Sequence, residues 1–465
     1  MSDSATGAVA AVWASAGLPD ASHRLHLSGA DPVLPSSFAV GTAAQASLGA
    51  AALVATEIGR HRNGLVQDVS IDMREAALEC CGAFTLDGRK PELWDRLAGI
   101  YACGLGGSGG FVRLHTNFEH HRDGVLRLLG LPTGPHTERA TIDSALTSWS
   151  AERFEAAAAE AGLVVAALRS FETWRRHPQH AAVAELPLVE IERIGDAAPR
   201  AWSVLPTDAR PLQGLRVLDL TRILAGPVGG RTLAAYGADV MLVNSPHLPN
   251  IEAIADTSRG KRSALADLRD DADRDAFSEA LKASHVFLQG YRPGALLELG
   301  FGPHDVARRC PGIVYVSLSA YGRRGPWAAR RGFDSLVQTA TGFNADEADA
   351  AGSRAPKALP MQILDMASGF LLAFGAQAAL WRQQREGGSW HVQVSLARTA
   401  LWLRELGRID NGFAVPRANF DAQMETSDSG FGRLVALRHA ARFSATSARY
   451  ARRSSPPGTD PLAWS

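Results

Sequence analysis

One carboxylate stands where a nucleophile could work. In ALPMQILDMASGFLLAFG (358–375), Asp365 opens a long run of small and apolar residues, and the spacing predicts a helix that starts beside it. An acid at a helix start meets the positive end of the dipole and backbone N–H groups without intrahelical partners, which hold it ionised. The flanking Ile363, Leu364 and Met366 strip water from it, and a poorly hydrated carboxylate is a better nucleophile. The same residue as a plain N-cap would contribute about 1 kcal/mol to its helix and do no chemistry. Pattern alone leaves both readings open.

Other constellations have less to offer. Gly106-Gly107-Ser108-Gly109-Gly110 satisfies G-x-S-x-G, and Gly104, Gly106 and Gly109 satisfy G-x-G-x-x-G. Both motifs need a helix to follow, whereas FVRLHT (111–116) alternates like a strand, so a hairpin turn is expected. His115, His120 and His121, and the pair His177 and His180, lack a partnering Cys or acid at ligand spacing, and metal is not expected. Cys80, Cys81, Cys103 and Cys310 form neither a disulfide framework nor C-x-x-C, and read as buried small residues.

The element that would place a ligand beside Asp365 lies in 211–243, PLQGLRVLDLTRILAGPVGGRTLAAYGADVMLV. Leu215, Val217, Leu218 and Leu220 read as a strand, which Gly226-Pro227 is expected to break. Thr232 to Tyr236 then make a helical turn or two, Gly237 suits the position after the helix, and Val240 to Val243 read as a buried parallel strand. The loop has no G-x-G-x-x-G, and Asn244 ends the second strand where a ribose-reading acid would stand. An α/β unit is expected, and an NAD enzyme is not.

Composition sets the frame. The 465 residues allow two ordinary domains or one composite one, and 46% hydrophobic with 21% charged residues is the balance of a globular protein with a core. A formal net charge of zero points to no nucleic acid and no anionic membrane. No uninterrupted apolar run reaches membrane-spanning length and no basic-then-apolar leader opens the chain, so a cytoplasmic location is expected.

The stretch 211–243 resembles the opening of a family III CoA-transferase, the carnitine and bile-acid type, and further blocks follow in that family's order. Arg259-Gly260-Lys261-Arg262-Ser263 resembles its N/G-K-R-S turn, 283–303 its N-F-R-P-G segment, and 310–342 its V-Y-x-S to G-x-D stretch. The N-terminal part is similar in rearranged order. Segment 43–78 and segment 366–401 share a small-residue helix, a Gly turn and an extended segment at an offset of 323, with Leu48 on Leu371, Gly64 on Gly387 and Val69 on Val392. Stretches 109–132 and 149–182 resemble the family's smaller part, and 436–461 its closing segment. The expected architecture is therefore α/β: an open parallel Rossmann-like sheet with a second, smaller α/β domain, in the interlocked fold of the family. The expected divisions are 1–205 (a partial copy, its smaller domain at 79–200), 211–410 (the copy with the nucleophile) and a closing extended segment at 411–465.

The resemblance implies a function. Asp365 matches the family's nucleophile; under the offset it falls on Thr42, so one copy would be catalytic and the other architectural. CoA, as an acyl-CoA substrate and not as a permanently bound cofactor, would be held by Leu224 and Ala225, Arg269, the loop Gly290, Tyr291 and Arg292, and Arg331 with Asp334. Arg suits phosphate oxygens through its planar fork. Ser245 and Glu298 depart from basic positions of the family, which weakens or reroutes the adenosine-phosphate contacts. The implied partners are an acyl-CoA, a carboxylic acid and a second copy in a homodimer, unless the fused partial copy fills that role. Two alternatives remain: a non-catalytic acyl-CoA-binding or scaffold protein, and a 2-methylacyl-CoA racemase-like isomerase, which Phe333 in place of a His argues against.

Overall fold

The computed structural model describes residues 3–416 and 418–464. Seven strands form its main sheet: β1 (Glu190–Gly195), β2 (Arg216–Leu220), β3 (Asp239–Asn244), β4 (Arg262–Leu265), β5 (Val286–Gln289), β6 (Val314–Ser319) and β7 (Ser389–Ser395). Their order is β4-β3-β2-β5-β6-β7-β1. β2 to β7 run parallel, and β1 closes the edge antiparallel to β7. This is the order of a doubly wound sheet, whose winding reverses between β2 and β5; a crevice opens there above the carboxyl ends of the strands. The parallel strands are covered on both faces, which is why Val217, Leu218, Val240, Met241 and Val286 to Leu288 read as near-continuous apolar runs. β1 lies in the stretch assigned from sequence to the smaller part, yet it pairs with the main sheet.

Four helices position the site: α1 (Val40–Asn63), α2 (Ala225–Ala235), α3 (Asp334–Ala340) and α4 (Ile363–Glu386). The helix after β2 is longer than the expected one or two turns. Gly226-Pro227 does not break the chain but lies in the first turn of α2, where a missing N–H costs nothing. Gly237 follows the helix at φ +111°, as its position predicted. α2 crosses α4 at glycines: a Cβ on Gly229 would lie 3.0 Å from the Gly369 carbonyl oxygen, and one on Gly369 would lie 2.7 Å from that of Ala225. Only hydrogens let the backbones approach so closely, and this contact brings the start of α4 beside the loop that follows β2.

α4 is long and apolar enough by composition to cross a membrane, but its apolar window is wholly buried inside the protein. α2, β7 and α1 cover it. The α1 contact includes a bond from Gln377 Nε2 to the Ala51 carbonyl at 3.1 Å.

The repeat at an offset of 323 has a structural counterpart. α1 begins at 40 and ends at 63, α4 begins at 363 and ends at 386. Around α1, the strand Leu25–Ser28 lies parallel to Val69–Asp72, which Arg442–Phe443 joins antiparallel. Around α4, β6, β7 and β1 repeat this arrangement. A helix follows each inner strand, Met73–Cys80 in one unit and Leu396–Glu405 in the other.

Between the units, Gly99–Ala102, Phe111–Leu114 and Val165–Ala167 form an antiparallel sheet with its own apolar cluster around Tyr101, Leu114, Phe154 and Val165. Gly104 to Gly110 are the hairpin turn between the first two of these strands, with positive φ at Gly104, Gly106, Gly107 and Gly110. The tail contains two further strands. Met424–Ser429 and Gly432–Leu437 form a hairpin that pairs with Phe84–Leu86.

Candidate functional site

The crevice between β2 and β5 is a cavity of about 350 Å³. A buried ion pair fixes the turn that follows β2. Asp219 on β2 accepts Lys261 Nζ at 2.8 Å, and the same ammonium donates to the Pro227 carbonyl at 2.8 Å. The other carboxylate oxygen of Asp219 holds the Thr221 N–H at 3.1 Å. These bonds tie the turn after β2 to the start of α2. Inside that turn Ile223 has φ +76°, a strained conformation for a β-branched residue that its surroundings must enforce. Leu224 and Ala225, next in the chain, line the cavity.

Across from this turn stands Gly290-Tyr291-Arg292, held by the Tyr291 N–H on Gln289 Oε1 at 3.0 Å. Arg331 comes from the segment after β6, and Asp365 from the first turn of α4. The structure thus brings together Asp365, Leu224, Ala225, Gly290, Tyr291, Arg292 and Arg331.

Two of the residues expected at the site do not line the cavity. Arg269 is not a wall of the cavity. It follows β4, the outermost strand, and its fork closes on Asp267 through two bonds of 2.8 Å. β2 and β3 separate it from the crevice. Asp334 is fully buried and lines no part of the cavity. Its Oδ2 accepts the Asp365 N–H at 2.9 Å; it also accepts the Leu364 N–H and an amide hydrogen of Gln338. Asp334 caps the helix that carries Asp365.

That cap changes the electrostatics. The N–H groups of Leu364 and Asp365 are taken by Asp334, and that of Met366 by the Gln362 carbonyl. The N–H groups of Leu364, Asp365 and Met366 are therefore taken, both from the Asp365 carboxylate and from an oxyanion. Among the described residues the Asp365 carboxylate accepts no hydrogen bond. Burial, then the nearby charge of Asp334, push its pKa well above the usual carboxylate range. Burial also raises Asp334, against the pull of its N–H donors and of Arg113. Since those donors favour charge on Asp334, it is the better ionised member, and Asp365 holds the less comfortable charge.

The partial copy uses the same device at the matching place. Asp31 accepts the Gly41 N–H at 3.0 Å and the Thr42 N–H at 2.8 Å, and its Oδ2 also takes the Thr42 hydroxyl at 2.8 Å. Gly41 and Thr42 correspond to Leu364 and Asp365.

Sequence reasoning missed one wall. Phe118, His120, His121 and Val164, all from the smaller part, face Asp365 across the cavity. His121 is 4% exposed, with Nδ1 buried and unpartnered, and burial beside His120 and Arg331 pushes its pKa down to about 3. It is a neutral imidazole. Arg222, half-buried over the Phe118 ring, also lines the cavity and has an unpartnered Nε. The doublet at the start of helix Glu119–Leu128 was the available signal, since one of two adjacent helical residues turns inward. His115 stacks on Phe333 at 3.9 Å between ring centroids and is likewise neutral, its pKa near 3. Glu298 holds Arg292 at 3.3 Å, so this departure occupies a cation at the cavity mouth.

Residues 212–411 match CoA-transferase family III, so the resemblance read from the sequence holds over this segment. An acyl-CoA transferase of Gibberella moniliformis is 32% identical over 306 residues, 62% of this chain and 53% of that protein. A probable fatty acyl-CoA transferase of Mycobacterium tuberculosis is 34% identical over 216 residues, 43% of this chain and 54% of that protein. The crystal structure of a CaiB/BaiF family protein from Brucella suis is 25% identical, with a TM-score of 0.37, over 48% of this chain and 65% of that one. The chain spans about half the length of these curated relatives.

Proposed function

We propose that the chain transfers CoA from an acyl-CoA thioester to a carboxylic acid, with Asp365 as the nucleophile. The observation that carries this reading is the placement of one poorly solvated carboxylate in a cavity whose lining also includes Arg222, Arg292, Arg330 and Arg331, all five within the segment that matches CoA-transferase family III.

An Asp365 oxygen attacks the donor carbonyl carbon and expels CoA thiolate, which leaves a mixed anhydride. The thiolate attacks the aspartyl carbonyl, releases the donor as a carboxylate and forms an aspartyl-CoA thioester. The acceptor carboxylate attacks that thioester, thiolate leaves again, and its attack on the acceptor carbonyl gives the new acyl-CoA and frees Asp365. The arginines suit the CoA phosphates, and a carboxylate relieved of an unfavourable charge when it acylates gains in the attack. With the N–H groups of Leu364, Asp365 and Met366 occupied, the guanidinium groups that line the cavity are the donors suited to each oxyanion. Residues of the smaller part, Phe118, His120, His121 and Val164, and loops of the main sheet wall this cavity within one chain.

Incubation with acyl-CoA donors and hydroxylamine tests the reading. The expected result is a hydroxamate at Asp365 by mass spectrometry and loss of CoA exchange in Asp365→Ala. No mass shift with any donor, while CoA still binds, favours the second reading, a non-catalytic acyl-CoA binder; Glu298 on Arg292 is the observation on its side.

A further inference from the structure

A second cavity of about 370 Å³ opens over the carboxyl ends of β5, β6 and β7. It shares Tyr291, Pro293, Leu318 and Ser319 with the Asp365 cavity as a common wall. The two chambers differ in charge. In the first, Glu298 holds Arg292 and Glu155 lies 3.3 Å from Arg330, which leaves Arg222 and Arg331 without an acidic partner among the described residues, facing Asp365 alone. In the second the only charged side chains are Glu190 and Arg323, and they neutralise each other: Arg323 Nε donates to Glu190 Oε2 at 2.7 Å, and its Nη2 reaches Oε1.

What remains of the second chamber is apolar or neutral and polar. Leu186, Pro187, Ala328, Ala329 and Val394 supply the apolar surface. Ser317 is already bonded to His391 at 2.7 Å. Gln289 accepts the Tyr291 N–H with Oε1, so its orientation is set, and its amide nitrogen has no partner among the described residues. Gln393 donates to Glu190 at 3.3 Å and keeps its own carbonyl oxygen. The chamber thus offers one oriented N–H donor, one carbonyl acceptor and an apolar lining, which is the make-up of a small-molecule site.

We propose that this chamber is the acyl subsite of the transferase, and that it selects acids without a second charge whose chain carries a hydroxyl or carbonyl oxygen. This rests on the reading of the Asp365 cavity as the CoA site. With the phosphates drawn to the arginines, an acid whose carboxyl group lies at Asp365 has the second chamber beside it, across the residues that the two cavities share, and that chamber is where its tail would be received. A distal carboxylate would be desolvated there with no free cation to receive it. A hydroxyl or carbonyl oxygen would accept from the Gln289 amide.

Ligand-observed NMR titration of the full chain with 3-hydroxyhexanoate, hexanoate and glutarate tests the proposal without turnover. The expected result is that 3-hydroxyhexanoate binds at least tenfold more tightly than glutarate. Ala328→Phe, which fills the chamber, weakens that binding at least tenfold. Gln289→Leu, which keeps the shape and covers the case of a misfolded Ala328→Phe, removes most of the preference for 3-hydroxyhexanoate over hexanoate. Equal or tighter glutarate binding, binding that Ala328→Phe leaves unchanged, or no binding of any acid overturns the proposal. Intact acid binding with no hydroxamate at Asp365 counts instead against the nucleophile and leaves the subsite standing.

Discussion

Asp334→Asn separates the two roles of the buried carboxylate behind the nucleophile. Asp334 accepts the Asp365 N–H at 2.9 Å and sets its charge against that of Asp365. Asn keeps an oxygen for that N–H and removes the charge. Two unit charges about 5 Å apart repel by ~3 kcal/mol at an effective dielectric constant near 20, which corresponds to about two pH units at most. The sign follows from the chemistry: Asp365 attacks only when ionised, and the Asp334 charge opposes its ionisation. The acidic limb of the kcat/KM profile therefore moves to lower pH in Asp334→Asn, and relative activity at acidic pH rises. The fold bears the loss, because one of the donors at Leu364, Asp365 and Gln338 meets an amide hydrogen instead of an oxygen. That costs about 1–3 kcal/mol and a few degrees in Tm. A pH–rate series on both proteins, normalised by active-site titration, reads the limb directly. A limb that stays in place or moves to higher pH would refute the charge coupling and with it the assignment of Asp365 as the titrating group.

Asp365→Asn should abolish transfer and raise Tm at neutral pH, because a buried carboxylate without donors costs at least ~1–3 kcal/mol. Its raised folded pKa means that wild-type stability falls as pH rises from the unfolded value through the folded one, so the gain from Asn should vanish at low pH; a gain independent of pH in thermal melts would contradict this. Arg331→Ala should weaken CoA binding about tenfold in calorimetry, whereas Arg269→Ala, held off the cavity by Asp267, should leave it unchanged. Thr42→Asp would point a carboxylate at Asp31, which already accepts from the Thr42 N–H and hydroxyl. The expected cost is about 2 kcal/mol or more by urea unfolding, with no transfer activity restored to Asp365→Asn.

Much of the fold was legible because its determinants are local. Apolar runs bounded by turn residues located β2 and β3, Gly64 and Gly237 marked helix ends, and the offset of 323 located a repeat whose helices share both boundaries. Local rules failed where two of them compete. Gly226-Pro227 reads as a break, but the first turn of a helix needs no N–H from Pro, and packing of Gly229 on Gly369 favours the longer helix. β1 joins the main sheet although it lies within 79–200, because six residues do not by themselves say which sheet edge they will join.

The same division holds for the site. The resemblance to the family singled out Asp365 and the loops at Leu224 and Gly290, where pattern alone left Asp365 open; that one begins a helix and the others follow parallel strands is set by nearby residues. Whether that carboxylate is comfortable as an anion was decided by Asp334, thirty-one positions away, which takes the N–H groups that the helix start alone would have given it. That His120 and His121 of the smaller part reach this cavity was decided in the same manner, by segments far apart in the chain. Hydrogen-bond periodicity acts over a few residues and can be read along the chain, whereas desolvation and Coulomb interaction act through space and depend on whatever the fold brings alongside.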